Sequence, residues 1–569
     1  MWAPYASAVE LVLDGTRRPM VRAGHGWWQD ETPLEPGTRY AFSLDGAEPR
    51  PDPRGLRLPD GPHGTSAWFD PSSFGWSDDG WRGVDLEGSV LYEMHVGTFT
   101  ADGTLDAAAD RLPHLVDLGV DVVELLPLAP FPGGHGWGYD GVAPYAVHEG
   151  YGGPETLQRF VDVAHRLGLG VCLDVVYNHL GPDGNYLGEL GPYFTDAHAT
   201  PWGQALNLDG PDSDEVRRYV LDNVQQWLRD FHVDGLRLDA VHELHDDTAL
   251  HLLEEMAGEV DALSAEVGRP LWLVAESDRN DPRTVTPRAV GGLGLDGQWA
   301  DDVHHALHVA LTGETQGYYA DFADPDALAK VLRTPFFHDG TFSSFRGRRH
   351  GRPVGADVPG WRFVASLQTH DQVGNRAQGD RLSGAELDLD PGLLACGAAL
   401  LLTARWTPML FMGEEWGART PWQFFTDHTD PDIARGTRDG RRAEFGAHGW
   451  DESTVPDPQD PSTFQRSRLD WSEPDREPHG RLLRWYRDLI ALRRERADLR
   501  LDQVDVSGGP PHLRVRRGDH EVLVNLSDEP WSCDVDGSVL ASWEPDVVVH
   551  AGRVDVPPRS ALVAEPART

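Results

Sequence analysis

An alternation constrains this chain more than any other feature. From about residue 89, short apolar runs recur at 89–96, 120–126, 169–176, 233–238, 270–275, 295–299, 362–368 and 406–412, with amphipathic helical patterns among them. Eight such strands with covering helices are what an α/β fold of the (β/α)8 TIM-barrel type requires. One helix can be followed residue by residue. Val216, Val220, Val224, Trp227 and Phe231 recur at spacings of four, four, three and four, which puts them on one face. Asp212, with Glu215 three residues later, predicts a capping-box start. A long connection, about 178–211, follows the third strand and is rich in Gly, Pro and aromatics. Loops of that length inside a domain are commonly functional.

The flanks read as β. Residues 9–13 and 39–44 are short alternating runs, with Asp14-Gly15 and Asp45-Gly46 as turns, and they predict a small N-terminal β-sandwich. The Pro/Gly/Asp-rich tract 49–62 reads as a surface loop. An amphipathic helix near 479–496 precedes a C-terminal antiparallel β domain with strands at 512–515 and 521–526. The expected division is 1–86, 87–497 and 498–569.

Charge narrows the ligand classes. Asp and Glu number 92 against 50 basic residues, a formal net charge of −42. Nucleic acid and anionic lipid would be repelled, and polyanionic substrates are disfavoured. All the basic residues are arginine except Lys330. Cys172, Cys396 and Cys533 lie too far apart to suggest a disulfide framework or a zinc site. The first residues show no basic or apolar leader pattern, and the longest apolar stretch, 393–404, is too short to span a bilayer. A cytoplasmic protein with no membrane partner is the expectation.

In a barrel of this type the strand C-termini face the active site. The fourth strand closes on Arg237-Leu238-Asp239, and alternation sets Arg237 and Asp239 on one side. An arginine beside an aspartate favours the ionised carboxylate that a nucleophile needs; capping the next helix is the alternative role for Asp239. The fifth strand is an apolar run ending in Glu276, where poor solvation would raise the carboxyl towards general-acid duty; pairing with a nearby arginine is its alternative. The seventh runs into Gln368-Thr369-His370-Asp371-Gln372, and the third ends Asp174-Val175-Val176-Tyr177-Asn178-His179. Paired carboxylates across a glycosidic bond are the parts needed for glycoside hydrolysis.

Four stretches, DVVYNH at 174–179, GLRLDAVH at 235–242, LVAES at 273–277 and LQTHDQ at 367–372, resemble the signature regions of the α-amylase superfamily of glycoside hydrolases. The resemblance implies Asp239 as nucleophile, Glu276 as acid/base and Asp371 as the third carboxylate. It implies that Asp174, Arg237, His179 and His370 hold the cleaved sugar and that Tyr139 stacks on it. Further stretches, 132–141, 178–186, 275–282, 298–305, 311–319 and 412–416, are similar to the trehalose-releasing branch, the maltooligosyltrehalose trehalohydrolases. The likeness runs nearly end to end. It implies cleavage of the α-1,4 bond next to a terminal trehalose unit of maltooligosyltrehalose, with Trp137, Asp140, Leu238, Ala240, Val241, His242, Gln372 and Asn375 also about the substrate. It implies no cofactor, a monomer, and maltooligosyltrehalose synthase as the metabolic partner.

Two features depart from common amylases. Their lysine–histidine pair after the nucleophile is replaced by Ala240-Val241-His242-Glu243, so the leaving-group side is expected to be built differently. Asp301, Asp302, Val303, His304 and His305, past the sixth strand, are candidates for it; for Asp301, Asp302, His304 and His305, a helix start with acidic first-turn residues is the alternative. Asn178 matches a calcium-ligating position of many amylases, but no oxygen cage surrounds it in the sequence and no metal is expected. His25, His232 and His448 stand alone and are expected to be structural. Two rivals share the barrel: a glycogen branching enzyme, which passes glucan to glucan, and a non-catalytic sugar-binding barrel, in which loss of the acids would be expected.

Overall fold

The computed structural model describes residues 1–447 and 455–566; His448 lies outside them. The eight expected runs form eight parallel strands: Leu91–Met94, Val122–Leu125, Gly170–Val175, Gly235–Leu238, Trp272–Ala275, Gly297–Trp299, Phe363–Ser366 and Thr407–Phe411. They close in sequence order, the eighth pairing the first. Strands buried on both faces explain why they read as continuous apolar runs rather than alternating ones.

The barrel interior has two levels. Leu91, Val122, Cys172, Trp272, Val274, Trp299, Val364 and Met409 form one apolar cluster. Two residues further along the same strand faces stand Glu93, Glu124, Asp174 and Glu276, as the strand period of two dictates. A dry lower interior therefore carries a polar upper one that opens at the strand C-termini.

The helix read from sequence spans Ser213–Gln225 and continues through a wider turn, Gln226–Asp230. Val216, Val220, Val224, Trp227 and Phe231 are all buried, as the spacing predicts. The capping box does not form. Asp212 has φ +61° and no capping hydrogen bond, and its carboxylate instead accepts the Tyr5 hydroxyl at 2.9 Å. A left-handed residue points its side chain away from the first-turn N–H groups that a cap must reach.

The N-terminal strands form a four-stranded antiparallel sheet, ordered Thr16–Pro19, Val9–Leu13, Arg39–Leu44, Ser66–Ala67, beside the two-stranded Val21–Gly24 and Trp27–Gln29. The tract 49–62 is not a free surface loop. Leu58 packs on Ala143 and Ala146, and Arg54 donates to Tyr145 and Asp222, each at 2.8 Å. These contacts seal the strap against the barrel, and composition alone does not reveal them. After the helix His479–Glu495, a five-stranded antiparallel sheet and a two-stranded one enclose Leu523, Cys533, Val554, Val556 and Leu562. His232 stacks on Trp76 at 3.8 Å and hydrogen-bonds Asp78, and the His25 carbonyl accepts the Trp2 indole N–H. No described helix is long and apolar enough to cross a membrane.

Gly235 opens the strand that carries Arg237. A Cβ there would lie 2.2 Å from the Trp272 ring. Gly235→Ala is expected to cost about 1–3 kcal/mol through overpacking, read as a lower thermal unfolding midpoint, together with loss of activity.

Candidate active site

The site grows from the fourth strand. Leu236 and Leu238 turn to the outer core, and Arg237 turns inward, fully buried. Its Nη1 donates to both oxygens of Asp174, at 3.0 and 2.9 Å, and to Asp239 Oδ1 at 2.7 Å. Its Nη2 lies 3.9 Å from Glu276, and its guanidinium carbon sits 4.5 Å from the Trp299 ring centroid. Burial opposes the guanidinium charge, but Asp174, Tyr139, Asp239 and Glu276 outweigh it and hold the cation firmly.

Asp239 and Glu276 occupy different surroundings. Asp239 accepts twice: from Arg237, and from the Asn178 amide at 3.0 Å on its other oxygen. Glu276 takes a backbone N–H, that of Ala240, at 2.7 Å. Ala240 reaches it by adopting φ +38°, ψ +51°, a left-handed conformation that costs an alanine about 1–2 kcal/mol. Burial pushes the Glu276 carboxyl up to about 8; Arg237 opposes this, and Asp239, Asp301 and Asp371 reinforce it. One acid is thus arranged to accept and the other to keep its proton near neutrality, the division of labour that acid–nucleophile pairs need.

Asp371 is the open member, with its side chain 43% exposed. It lies 3.4 Å from His370 Nε2 and accepts from Asn375 at 3.3 Å. Tyr139 donates to Asp174 at 2.6 Å, meets His370 Nε2 at 2.8 Å and stacks on that ring at 5.1 Å. Burial raises Asp174 to about 6 against the pull of Arg237. His179 is held between Asn178 Oδ1 at 2.6 Å and the Tyr139 carbonyl at 3.0 Å. Asp174, Arg237, Asp239, Glu276, His179, Tyr139, His370 and Asp371 therefore share one mouth.

Comparison with known proteins agrees with this geometry. The family description "Alpha amylase, catalytic domain" matches residues 70–195. The malto-oligosyltrehalose trehalohydrolase of Arthrobacter ramosus is 57% identical over 549 residues, 95% of either chain. The chain belongs to the malto-oligosyltrehalose trehalohydrolase family. The structure is similar to that of a putative alpha amylase from Salmonella typhimurium, with a TM-score of 0.90 at 39% identity, covering 99% of this chain and 96% of that one. A 1,4-alpha-glucan branching enzyme of Vibrio parahaemolyticus is 31% identical over 344 residues, only 52% of this chain and 45% of its own. The branching-enzyme alternative thus has a partial likeness where the trehalohydrolases match nearly end to end.

Within this family member, the group past the sixth strand divides by helix face. Asp301 and His305 are one turn apart on Asp301–Thr312. Burial, with Asp371 and Asp302 adding to it, pushes Asp301 up to about 7, and His305 packs its ring on Tyr318 at 4.9 Å. The neighbouring faces turn away. Asp302 accepts from Asn280 and from the His338 backbone, both at 2.9 Å; Val303 is buried in the core; His304 bonds the Leu367 carbonyl and Tyr319. These three brace the loops behind the mouth, because a helix presents only every third or fourth side chain to one side.

Other candidates stand beside the mouth or behind it. Leu238 and Val241 are buried in the hydrophobic core. Trp137 stacks on Trp422 and donates to the Gln423 carbonyl, so it backs His370 from behind. Asp140 is half-buried, 3.8 Å from His428, and burial raises its carboxyl. His242 is half-buried beside Glu243 and Asp278, and Gln372 is half-buried next to Asp371.

Sequence reasoning did not give four residues the roles they hold. Asn178 donates to Asp239. Glu93 binds His370. Trp299 underlies Arg237. Trp202, 52% exposed in the long connection, stacks on His179 at 4.4 Å. An acid inside an apolar strand and a tryptophan closing one were the available signals. Among the described residues, His198, Asp209 and Asp247 bring ligand atoms within 4.8 Å of one another, but His198 and Asp209 are already hydrogen-bonded at 2.9 Å.

Arg237→Gln would leave Asp174 buried without its counter-charge, a loss of about 3–5 kcal/mol. A carboxyl whose folded-state value is raised favours the fold at low pH and loses that contribution as pH rises through the raised value. The stability deficit of this variant is therefore expected to shrink below about pH 6 and to be largest near pH 8, measured by thermal unfolding across pH.

Proposed function

We propose that this chain hydrolyses the α-1,4-glucosidic bond next to the terminal trehalose unit of maltooligosyltrehalose and releases trehalose. The observation that carries this reading is the set of three carboxylates, Asp239, Glu276 and Asp371, at one mouth of a chain aligned nearly end to end with named trehalohydrolases. An uncharged glucan also suits a protein of net charge −42. Retention of all three acids argues against a barrel kept only for sugar binding.

Glu276 gives its proton to the glycosidic oxygen, which leaves with trehalose. Asp239 attacks the anomeric carbon from the opposite face and forms a glycosyl–enzyme ester. Glu276, now a carboxylate, takes a proton from water, whose oxygen displaces Asp239. Both acids sit within reach of one guanidinium, at 2.7 and 3.9 Å. This reading takes them as the closely spaced carboxyl pair of a retaining enzyme rather than the wider pair that inversion uses to admit water. Asp371 supports the positive charge that develops on the sugar, and His179, His370 and Tyr139 hold its hydroxyls and ring face. This reading takes Asp301 and His305 as lining the trehalose side. The same reading takes 1–86, 87–497 and 498–569 as the domains. It expects a cytoplasmic monomer fed by maltooligosyltrehalose synthase and needing no metal.

Incubation with maltotriosyltrehalose should yield trehalose and maltotriose. Glucose or shorter maltooligosaccharides without trehalose would refute the assignment, and new α-1,6 branches on amylose would favour the branching alternative. Asp239→Asn should lower kcat by about 10³-fold or more through loss of the nucleophile. Glu276 must hold its proton to act, so kcat/KM should fall as pH rises through about 8, and Glu276→Gln should abolish that limb along with most activity.

A further inference from the structure

We infer that Glu93, on the first barrel strand, is a positioning residue of the hydrolytic site: its buried carboxylate keeps a proton on both nitrogens of His370 and so fixes the donor this ring presents to the mouth. The inference rests on the hydrolytic reading above. Glu93 Oε2 accepts the His370 backbone N–H at 2.9 Å, and Oε1 lies 2.5 Å from ring Nδ1. Both side chains are 1% exposed. Nδ1 therefore donates.

The far nitrogen donates as well. Nε2 lies 2.8 Å from the Tyr139 hydroxyl. That hydroxyl has one proton, and its shorter contact, 2.6 Å, is to Asp174, a carboxylate already clasped by Arg237. Lengths of 2.5–2.7 Å are typical of O–H···O⁻ bonds. With its proton committed there, Tyr139 can only accept from Nε2. Two donating nitrogens define an imidazolium.

The surrounding charges support this. Facing the ring are Glu93 from the first strand, Glu124 from the second, Asp174 from the third, Arg237 from the fourth, Tyr139 from the loop after the second strand, His95 at the end of the first, and Asp371 alongside. Burial works against a charged ring, but Asp371 and Glu93 outweigh it and lift His370 to about 9. Glu124 lies directly across the strand pair from Glu93. Burial, with Glu93 and Asp174 adding to it, raises Glu124 to about 8, so it stays neutral. His95 is pressed down to about 3 by burial and stays neutral too. Of the two glutamates, Glu93 is the one whose oxygens reach His370, at its backbone N–H and at ring Nδ1. The mouth then has two fixed cations, Arg237 and His370, among its carboxylates.

Glutamine at position 93 offers one acceptor and one NH2 to two N–H donors, so one contact must break and the ring loses its counter-charge. Glu93→Gln should keep its fold, lower kcat about tenfold or more with less change in KM, and move the alkaline limb of kcat/KM to lower pH by about one unit, as His370 now deprotonates first. A folded Glu93→Gln enzyme with the wild-type limb would overturn the inference. Should that variant not fold, ring ¹⁵N shifts of the wild-type enzyme without substrate decide it, the His370 signal being the one missing from His370→Asn. Protons on both nitrogens through about pH 8 support the assignment; a neutral ring at pH 7 overturns it. Asp239→Asn assayed in parallel separates the two readings, since turnover surviving there removes the hydrolytic mechanism and leaves the ring measurement untouched.

Discussion

Arg237 is the interaction on which the site depends. A guanidinium without solvent contact needs partners for its charge and its N–H groups, and here Asp174 clasps it while Asp239 and Glu276 approach from the rim. An isolated buried ion would be prohibitive, whereas a multiply hydrogen-bonded cluster is not. The same contact that neutralises the arginine also sets Asp239 in place. Stability of the upper barrel and placement of the nucleophile are thus one arrangement, and lysine, with no planar fork, would not reproduce it.

The two-level interior explains how so many acids coexist. Below, Trp272, Val274, Trp299 and their neighbours form a dry floor. Above it, Glu93, Glu124, Asp174, Glu276 and Asp301 sit in low dielectric with few cations, so they cannot all ionise. Burial raises Glu124 and Glu276 to about 8 and Asp301 to about 7, while His370 is lifted to about 9. The result is a patterned set of protonation states, which is the condition acid–base catalysis requires.

The long connection after the third strand contributes at both its ends. Asn178 and His179 open it at the mouth, and Trp202, at its hairpin turn, returns to stack on His179. The strap that carries Arg54 and Leu58 then fastens the N-terminal sheet to the barrel beside it. A loop rich in Gly, Pro and aromatics is held here by specific contacts rather than left free.

The strands, their order and the carboxylates at their ends were legible in the sequence. Burial on both faces forces apolar runs, and a period of two decides which residue of each run turns inward; both are local properties. The helix face of Val216 to Phe231 was legible for the same reason. The Asp212 cap, the packed strap and the division of Asp301 to His305 were not, because each depends on what lies opposite in space. Glu93 stands as one acid in an apolar run, and only closure of the barrel brings it to His370, 277 positions away. Sequence by itself determined which carboxylates end the barrel strands. Tertiary structure decided which hold protons, because burial and distant partners, not neighbours in the chain, set the cost of each charge.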